Sequence, residues 1–131
     1  MINLINFNII GDERGSLIAL EENHNVPFDV KRVYYIFGTE QGVRRGYHAH
    51  KNLKQLAICI SGSCTFLLDN GKQKKPIELT SPTQGLLIEG LIWREMYDFS
   101  PDCVLMVLAD NYYDESDYIR DYNIFLEEAK Q

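Results

Sequence analysis

Arg44-Arg45-Gly46-Tyr47-His48-Ala49-His50-Lys51-Asn52-Leu53-Lys54-Gln55-Leu56-Ala57-Ile58-Cys59-Ile60-Ser61-Gly62 is the stretch on which the reading of this chain turns. Two of the three histidines lie in it, with one alanine between them. In an extended strand side chains alternate between faces, so His48 and His50 project from the same side, roughly 6.5–7 Å apart along it. A pair so placed serves metal binding or proton transfer. The plainer alternative is two surface histidines on a polar loop.

The spacing beyond the pair bears on that choice. Four residues separate His50 from Gln55, and six separate Gln55 from Gly62. This resembles the first motif of the cupin barrels, in which His-x-His is followed by a glutamate and then a glycine. Where a metal-binding cupin has its carboxylate, this chain has the neutral amide of Gln55. The second cupin motif ends in a further ligand histidine, and its best match is Ile88-Glu89-Gly90-Leu91-Ile92-Trp93, which keeps the glycine and puts tryptophan at the histidine position. Two ligands fall short of the three or four that a catalytic metal ordinarily takes from protein. The expectation is a cupin with no metal, whose histidines do acid–base work.

The rest of the composition fits one compact domain spanning 1–131. A chain of 131 residues buries roughly two-thirds of the surface it exposes when unfolded and needs no staples. Cys59, Cys64 and Cys103 are odd in number, form no Cys-x-x-Cys pair and sit in apolar runs, so they read as small buried hydrophobes. There is no long apolar run and no basic segment leading into an apolar core, which gives no membrane span or signal peptide and implies a cytoplasmic location. The net charge of −6 argues against a general nucleic-acid binder. Between residues 30 and 54, however, six Lys and Arg side chains face the single acid Glu40, a local +5. A basic island around the histidines suits an anionic small ligand, with phosphate the group that arginine forks commonly recognise.

Short strands succeed one another along the chain. Leu4–Ile10 alternates, Leu17–Leu20 is a brief second strand, and Phe28–Phe37 is a strong one that precedes the histidine strand. Lys54–Ile60 places Leu56, Ile58 and Ile60 on one face and Gln55, Ala57 and Cys59 on the other. Cys64–Leu68 pairs with Lys72–Leu79 across Asp69-Asn70-Gly71. Gly85–Glu89, Trp93–Phe99 and Val104–Ala109 complete a sandwich or jelly roll. The tail changes period: Tyr118, Ile119, Tyr122, Phe125, Leu126 and Ala129 form the apolar stripe of a helix, capped by Asp114 or Ser116, with the tyrosines as packing residues.

Several segments together resemble the sugar 3,4-ketoisomerases, bacterial cupins that act on dTDP-4-keto-6-deoxyglucose in making unusual surface sugars. They are Asp12-Glu13-Arg14-Gly15-Ser16-Leu17, Lys31-Arg32-Val33-Tyr34-Tyr35-Ile36, Arg45 to Lys51, Trp93, and Asp117-Tyr118-Ile119-Arg120-Asp121-Tyr122. The resemblance implies an all-β cupin jelly roll with a short C-terminal helix, a homodimer with exchanged N-terminal strands, a bound thymidine nucleotide, and no metal or cofactor. It implies that His48 moves the carbon proton and His50 relays a proton between the two oxygens, while Tyr34 orients or donates to the enediolate. It points to Arg14 and Arg45, then Arg32, for the diphosphate, and to Trp93 for substrate contact. Two other readings stay open: a non-catalytic sugar-nucleotide-binding cupin, and a metal-dependent dioxygenase, against which Gln55 and Trp93 both argue.

Overall fold

The structure, a computed structural model, describes residues 1–131. Eleven strands come first: β1 (Leu4–Asn6), β2 (Ile10–Asp12), β3 (Gly15–Leu17), β4 (Arg32–Phe37), β5 (Arg45–His50), β6 (Gln55–Ser61), β7 (Cys64–Asp69), β8 (Lys74–Leu79), β9 (Gln84–Ile88), β10 (Trp93–Tyr97) and β11 (Val104–Ala109). A 3-10 turn (Glu115–Asp117), β12 (Tyr118–Ile119) and the helix α1 (Tyr122–Ala129) end the chain. They build two antiparallel five-stranded sheets, ordered β1-β9-β6-β11-β4 and β12-β5-β10-β7-β8, with β2 and β3 as a separate ribbon. This is the expected all-β jelly roll, as two facing sheets that do not close on each other.

Strand alternation decides what each face buries. Cys59, Leu86, Leu105 and Val107 of the first sheet meet Cys64, Phe66, Leu68 and Met96 of the second in the central core. One residue along, Leu56, Ile58 and Leu108 point out of the back of the first sheet, where Phe7, Val26 and Phe28 cover them. The first sheet is thus apolar on both faces, which is why β6 reads as a nearly continuous hydrophobic run. A third cluster, Ala49, Trp93, Ile119 and Phe125, lies on the outer face of the second sheet beneath α1.

Several boundaries differ from the sequence reading: the strand expected from Phe28 starts at Arg32, and in the β7–β8 hairpin Asp69 pairs with Lys74, so the turn is 70–73 instead of 69–71. The expected strand Leu4–Ile10 breaks into β1, which pairs with β9 of its own chain through Leu4 and Leu86, and β2, which pairs with β3. Phe7 ends the first pairing by turning into the core behind the sheet. The second strand lies at Gly15–Leu17 instead of Leu17–Leu20. In the tail the helix starts only at Tyr122, because the Asp121 carboxylate accepts from the Asn123 and Ile124 amides. Asp114 caps the 3-10 turn, accepting from the Ser116 amide. Tyr118 and Ile119 are extended and pair with His50 and Ala49. Of the first two members of the apolar stripe, Ile119 reaches the cluster beneath α1 from a strand, and Tyr118 does not join it.

Phe125 is fully buried, and it joins α1 to Trp93 and Ile119. We expect Asp121→Ala to cost about 1 kcal/mol and Phe125→Ala about 3–5 kcal/mol, read from urea unfolding. Equal, small losses for both would show that the helix is held by its cap alone.

Candidate active site

The histidine strand carries a bulge that sets up the site. Arg94 of β10 faces His48, while its neighbour Glu95 faces Gly46, so Tyr47 is the extra residue. Gly46 has φ +89°, and a Cβ there would stand 2.8 Å from the Arg94 carbonyl oxygen, so glycine is required. Beyond the bulge His48 and His50 turn to the same side, as alternation predicts, with ring centroids 4.9 Å apart and planes nearly perpendicular.

Opposite them lies a chain of polar contacts closed off between the sheets. Arg94 is 2% exposed and makes no ion pair with any carboxylate. Its Nη1 donates to Gln55 Oε1 and its Nη2 to the Ile92 carbonyl, 2.9 Å away. Gln55 Nε2 in turn donates to the Tyr34 hydroxyl at 3.1 Å. The phenolic proton of Tyr34 therefore remains available to another acceptor.

The tail supplies a third side. The Asp117 carboxylate lies 3.1 Å from His50 Nδ1 and accepts from the Asn52 amide at 2.9 Å. The Tyr118 ring packs on both imidazoles, at 4.3 Å from His50 and 4.9 Å from His48. Arg120, paired with Glu115, stacks over Tyr118 at 4.3 Å and holds it there. Tyr118 is thus a site residue, and its reading as a packing residue is corrected; a stripe of apolar positions carries no sign that part of it faces a cleft.

Burial pushes both histidines down, His48 to about 4 and His50 to about 2, and the Arg94 cation adds to the effect. Both imidazoles are neutral at pH 7. Asp117 then acts as the acceptor of an Nδ1–H, which fixes the His50 tautomer and leaves Nε2 as a bare lone pair. His50 Nε2 and His48 Nδ1 are both buried without a hydrogen-bond partner. Burial raises the Tyr34 phenol, so it stays protonated. Burial also lowers Arg94, to about 10, which leaves it charged at neutrality.

Some expected residues are elsewhere. Trp93 faces the opposite way from the histidines, under α1, with its indole donating to Glu95; the inward position of that motif belongs to Arg94, one residue on. The alignment by glycine spacing missed this because only strand phase separates the two. Arg14 is 85% exposed at the tip of the β2–β3 ribbon, tied to Asp12, and its own chain does not bring it to the histidines. Arg45 is exposed at the start of β5 beside the bulge. Arg32 lines a cleft with His50 and Tyr118, its guanidinium 5.4 Å from the Tyr34 ring. The two histidines do not suit a metal here, since Gln55 is engaged on both sides and Arg94 already places a cation beside them.

The neutral histidines have a consequence for stability. As pH falls, the unfolded chain protonates them near 6.5 and the folded chain only near 4 and 2. The unfolded state therefore binds more protons below about pH 6.5, and stability drops with falling pH. We expect a urea midpoint that is flat above pH 7 and declines from about pH 6.5 towards 4, with a shallower decline in His48→Gln/His50→Gln. An unchanged slope in the double variant would place both imidazoles in water.

Comparison with known proteins shows the family. The family model described as FdtA, WxcM-like, C-terminal, matches residues 1–130. The chain is 56% identical over 122 residues to a TDP-4-oxo-6-deoxy-alpha-D-glucose-3,4-oxoisomerase from Aneurinibacillus thermoaerophilus, covering 93% of this chain and 88% of that one. Among solved structures, a mutant of the 3,4-ketoisomerase QdtA from Thermoanaerobacterium thermosaccharolyticum, in complex with TDP-4-keto-6-deoxyglucose, superimposes with a TM-score of 0.96 at 48% identity, over 98% and 94% of the two chains. The WlaRB TDP-quinovose 3,4-ketoisomerase from Campylobacter jejuni does so with a TM-score of 0.92 at 51% identity, over 96% and 97%. With a two-histidine site in a jelly roll and relatives of this kind along its whole length, the chain belongs to the FdtA family of WxcM-like proteins and is a keto-sugar isomerase.

Proposed function

We propose that the protein converts TDP-4-keto-6-deoxyglucose into its 3-keto isomer by histidine acid–base chemistry. One observation carries the reading: one buried and one half-buried imidazole, both neutral, present buried unpartnered nitrogens beside a buried guanidinium that has no carboxylate. His48 takes the proton from C3, and the electrons of that C–H bond form an enediolate with negative charge on O4. His50 moves the C3 hydroxyl proton to O4, the charge passes to O3, and His48 returns its proton at C4. Bonds and electrons balance within the substrate, so no oxidant or cofactor enters. Arg94 and the Tyr34 hydroxyl face the developing oxyanion, where charge and donated protons lower its energy most. Asp117 is a positioning residue for His50. Arg32 and Arg45 remain the diphosphate candidates of the histidine subunit.

The test separates the two histidines. His48→Asn should abolish isomerisation and exchange of the C3 proton with deuterated solvent, with TDP still bound. His50→Asn should slow turnover by about 10²–10⁴ while C3 exchange continues. Wild-type C3 exchange in His48→Asn would move the base to another group. Failure of the wild-type protein to exchange or isomerise the keto sugar, with TDP bound, would leave a non-catalytic binder.

The same reading makes the active protein a homodimer of one-domain chains in the cytoplasm, where the three reduced cysteines are stable. Val33, Tyr35 and Phe37 stand exposed along the outer face of β4, and Ile10 and Leu17 on the β2–β3 ribbon. Apolar area of this kind calls for a partner, and seating the ribbon on a second copy is how this reading brings Arg14 to substrate. Tyr35→Glu/Phe37→Glu changes only exposed side chains, so we expect a folded monomer by light scattering. A monomeric wild type, or a double variant that stays dimeric, would refute the assembly.

A further inference from the structure

The isomerase reading leaves the far end of the jelly roll unused, and there the fold assembles three thiols. Cys59 lies near the end of β6, Cys64 opens β7, and Cys103 immediately precedes β11. All three are free and buried, and their sulfurs lie within 4.8 Å of one another, with Cys59 Sγ and Cys103 Sγ 3.7 Å apart. Along β6 the four residues from Gln55 to Cys59 span about 13 Å, so the group is remote from the histidines.

The backbone around the thiols is pinned. The Ser61-Gly62-Ser63 turn has Gly62 at φ +69°, where a Cβ would collide with Ser100 Oγ and stand 2.9 Å from the Cys103 amide. Ser63 and Ser100 are joined by two hydrogen bonds of 2.9 Å, from the Ser63 amide to Ser100 Oγ and from the Ser100 amide to the Ser63 carbonyl. These contacts fix two chain segments that carry the cysteines, so the sulfurs meet without further ordering of the backbone.

We propose that Cys59, Cys64 and Cys103 form a soft-metal site that takes one thiophilic d10 ion, Cu(I), through three thiolates. Three thiolates bound at about 2.3 Å stand roughly 3.8–4.0 Å apart, close to the separation already present, so side-chain rotation suffices. The donor set contains no histidine or carboxylate. A structural Zn(II) site is four-coordinate, and three sulfurs in a dry core instead match a three-coordinate soft ion. Binding displaces the thiol protons to solvent and leaves the copper oxidation state unchanged. Linear spacing carries no sign of such a site, because the cysteines are separated by four and by thirty-eight residues and meet only across strands.

The test uses the full-length reduced protein and anaerobic Cu(I), supplied as its acetonitrile complex against a chromophoric Cu(I) chelator. The expected result is one copper per chain withdrawn from the chelator, a near-ultraviolet thiolate-to-copper absorption, and three sulfur neighbours in X-ray absorption. Cys64→Ala and Cys103→Ser should each lose the absorption and the stoichiometric copper while retaining the wild-type circular dichroism. Should either variant fail to fold, the wild-type X-ray absorption decides alone. Copper left with the chelator, or bound through nitrogen at His48 and His50, would overturn the proposal.

Discussion

A guanidinium enclosed between two sheets, bonded to an amide and a carbonyl but to no carboxylate, is costly to fold around. Removing an unpaired charge from water costs several kcal/mol even after relaxation, and the Arg94 Nε lacks any partner. Gln55 and the Ile92 carbonyl offset part of that cost. The remaining deficit suits a site whose anion arrives with the reaction. The position of Gln55 answers to the same requirement. A glutamate there would neutralise Arg94 in the resting protein, whereas an amide accepts one hydrogen bond from it and passes another to Tyr34.

The neutral histidines depend on this cation as well as on burial. A charged imidazole beside Arg94 in a low-dielectric interior is unfavourable, and both rings are held in the form that can accept a proton. Asp117 does not reverse that, because its carboxylate is half-buried and is spread over several donors. The tail segment that brings Asp117 and Tyr118 is anchored by Phe125 and Trp93 on the other side of the second sheet. Packing beneath α1 and chemistry at β5 are thus joined through two residues of β12.

The two ends of the jelly roll differ in kind. At the histidine end polar groups face one another with nitrogens left unpartnered. At the cysteine end three small sulfur side chains close the core under a turn that allows no Cβ. Both ends use the same alternation of β6, which points Gln55, Ala57 and Cys59 inward in turn.

Strand alternation, turn residues and the His-x-His spacing are local properties, and the sequence by itself determined their direct consequences: the all-β class, the existence of the β7–β8 hairpin though not its register, the shared face of His48 and His50, and the inward line of Gln55, Ala57 and Cys59. The family resemblance, resting on blocks spread over the chain, was legible for the same reason. Tertiary structure decided whatever depends on phase or on distant strands meeting. A one-residue difference in phase put Arg94 inside and Trp93 outside, and no spacing from Gly90 distinguishes the two. Tyr118 and Asp117 reach the histidines because β12 pairs with β5, a contact across some 67 residues. The three cysteines converge only once β6, β7 and β11 are in register, since proximity between strands is set by the packing of the whole core and not by any segment alone.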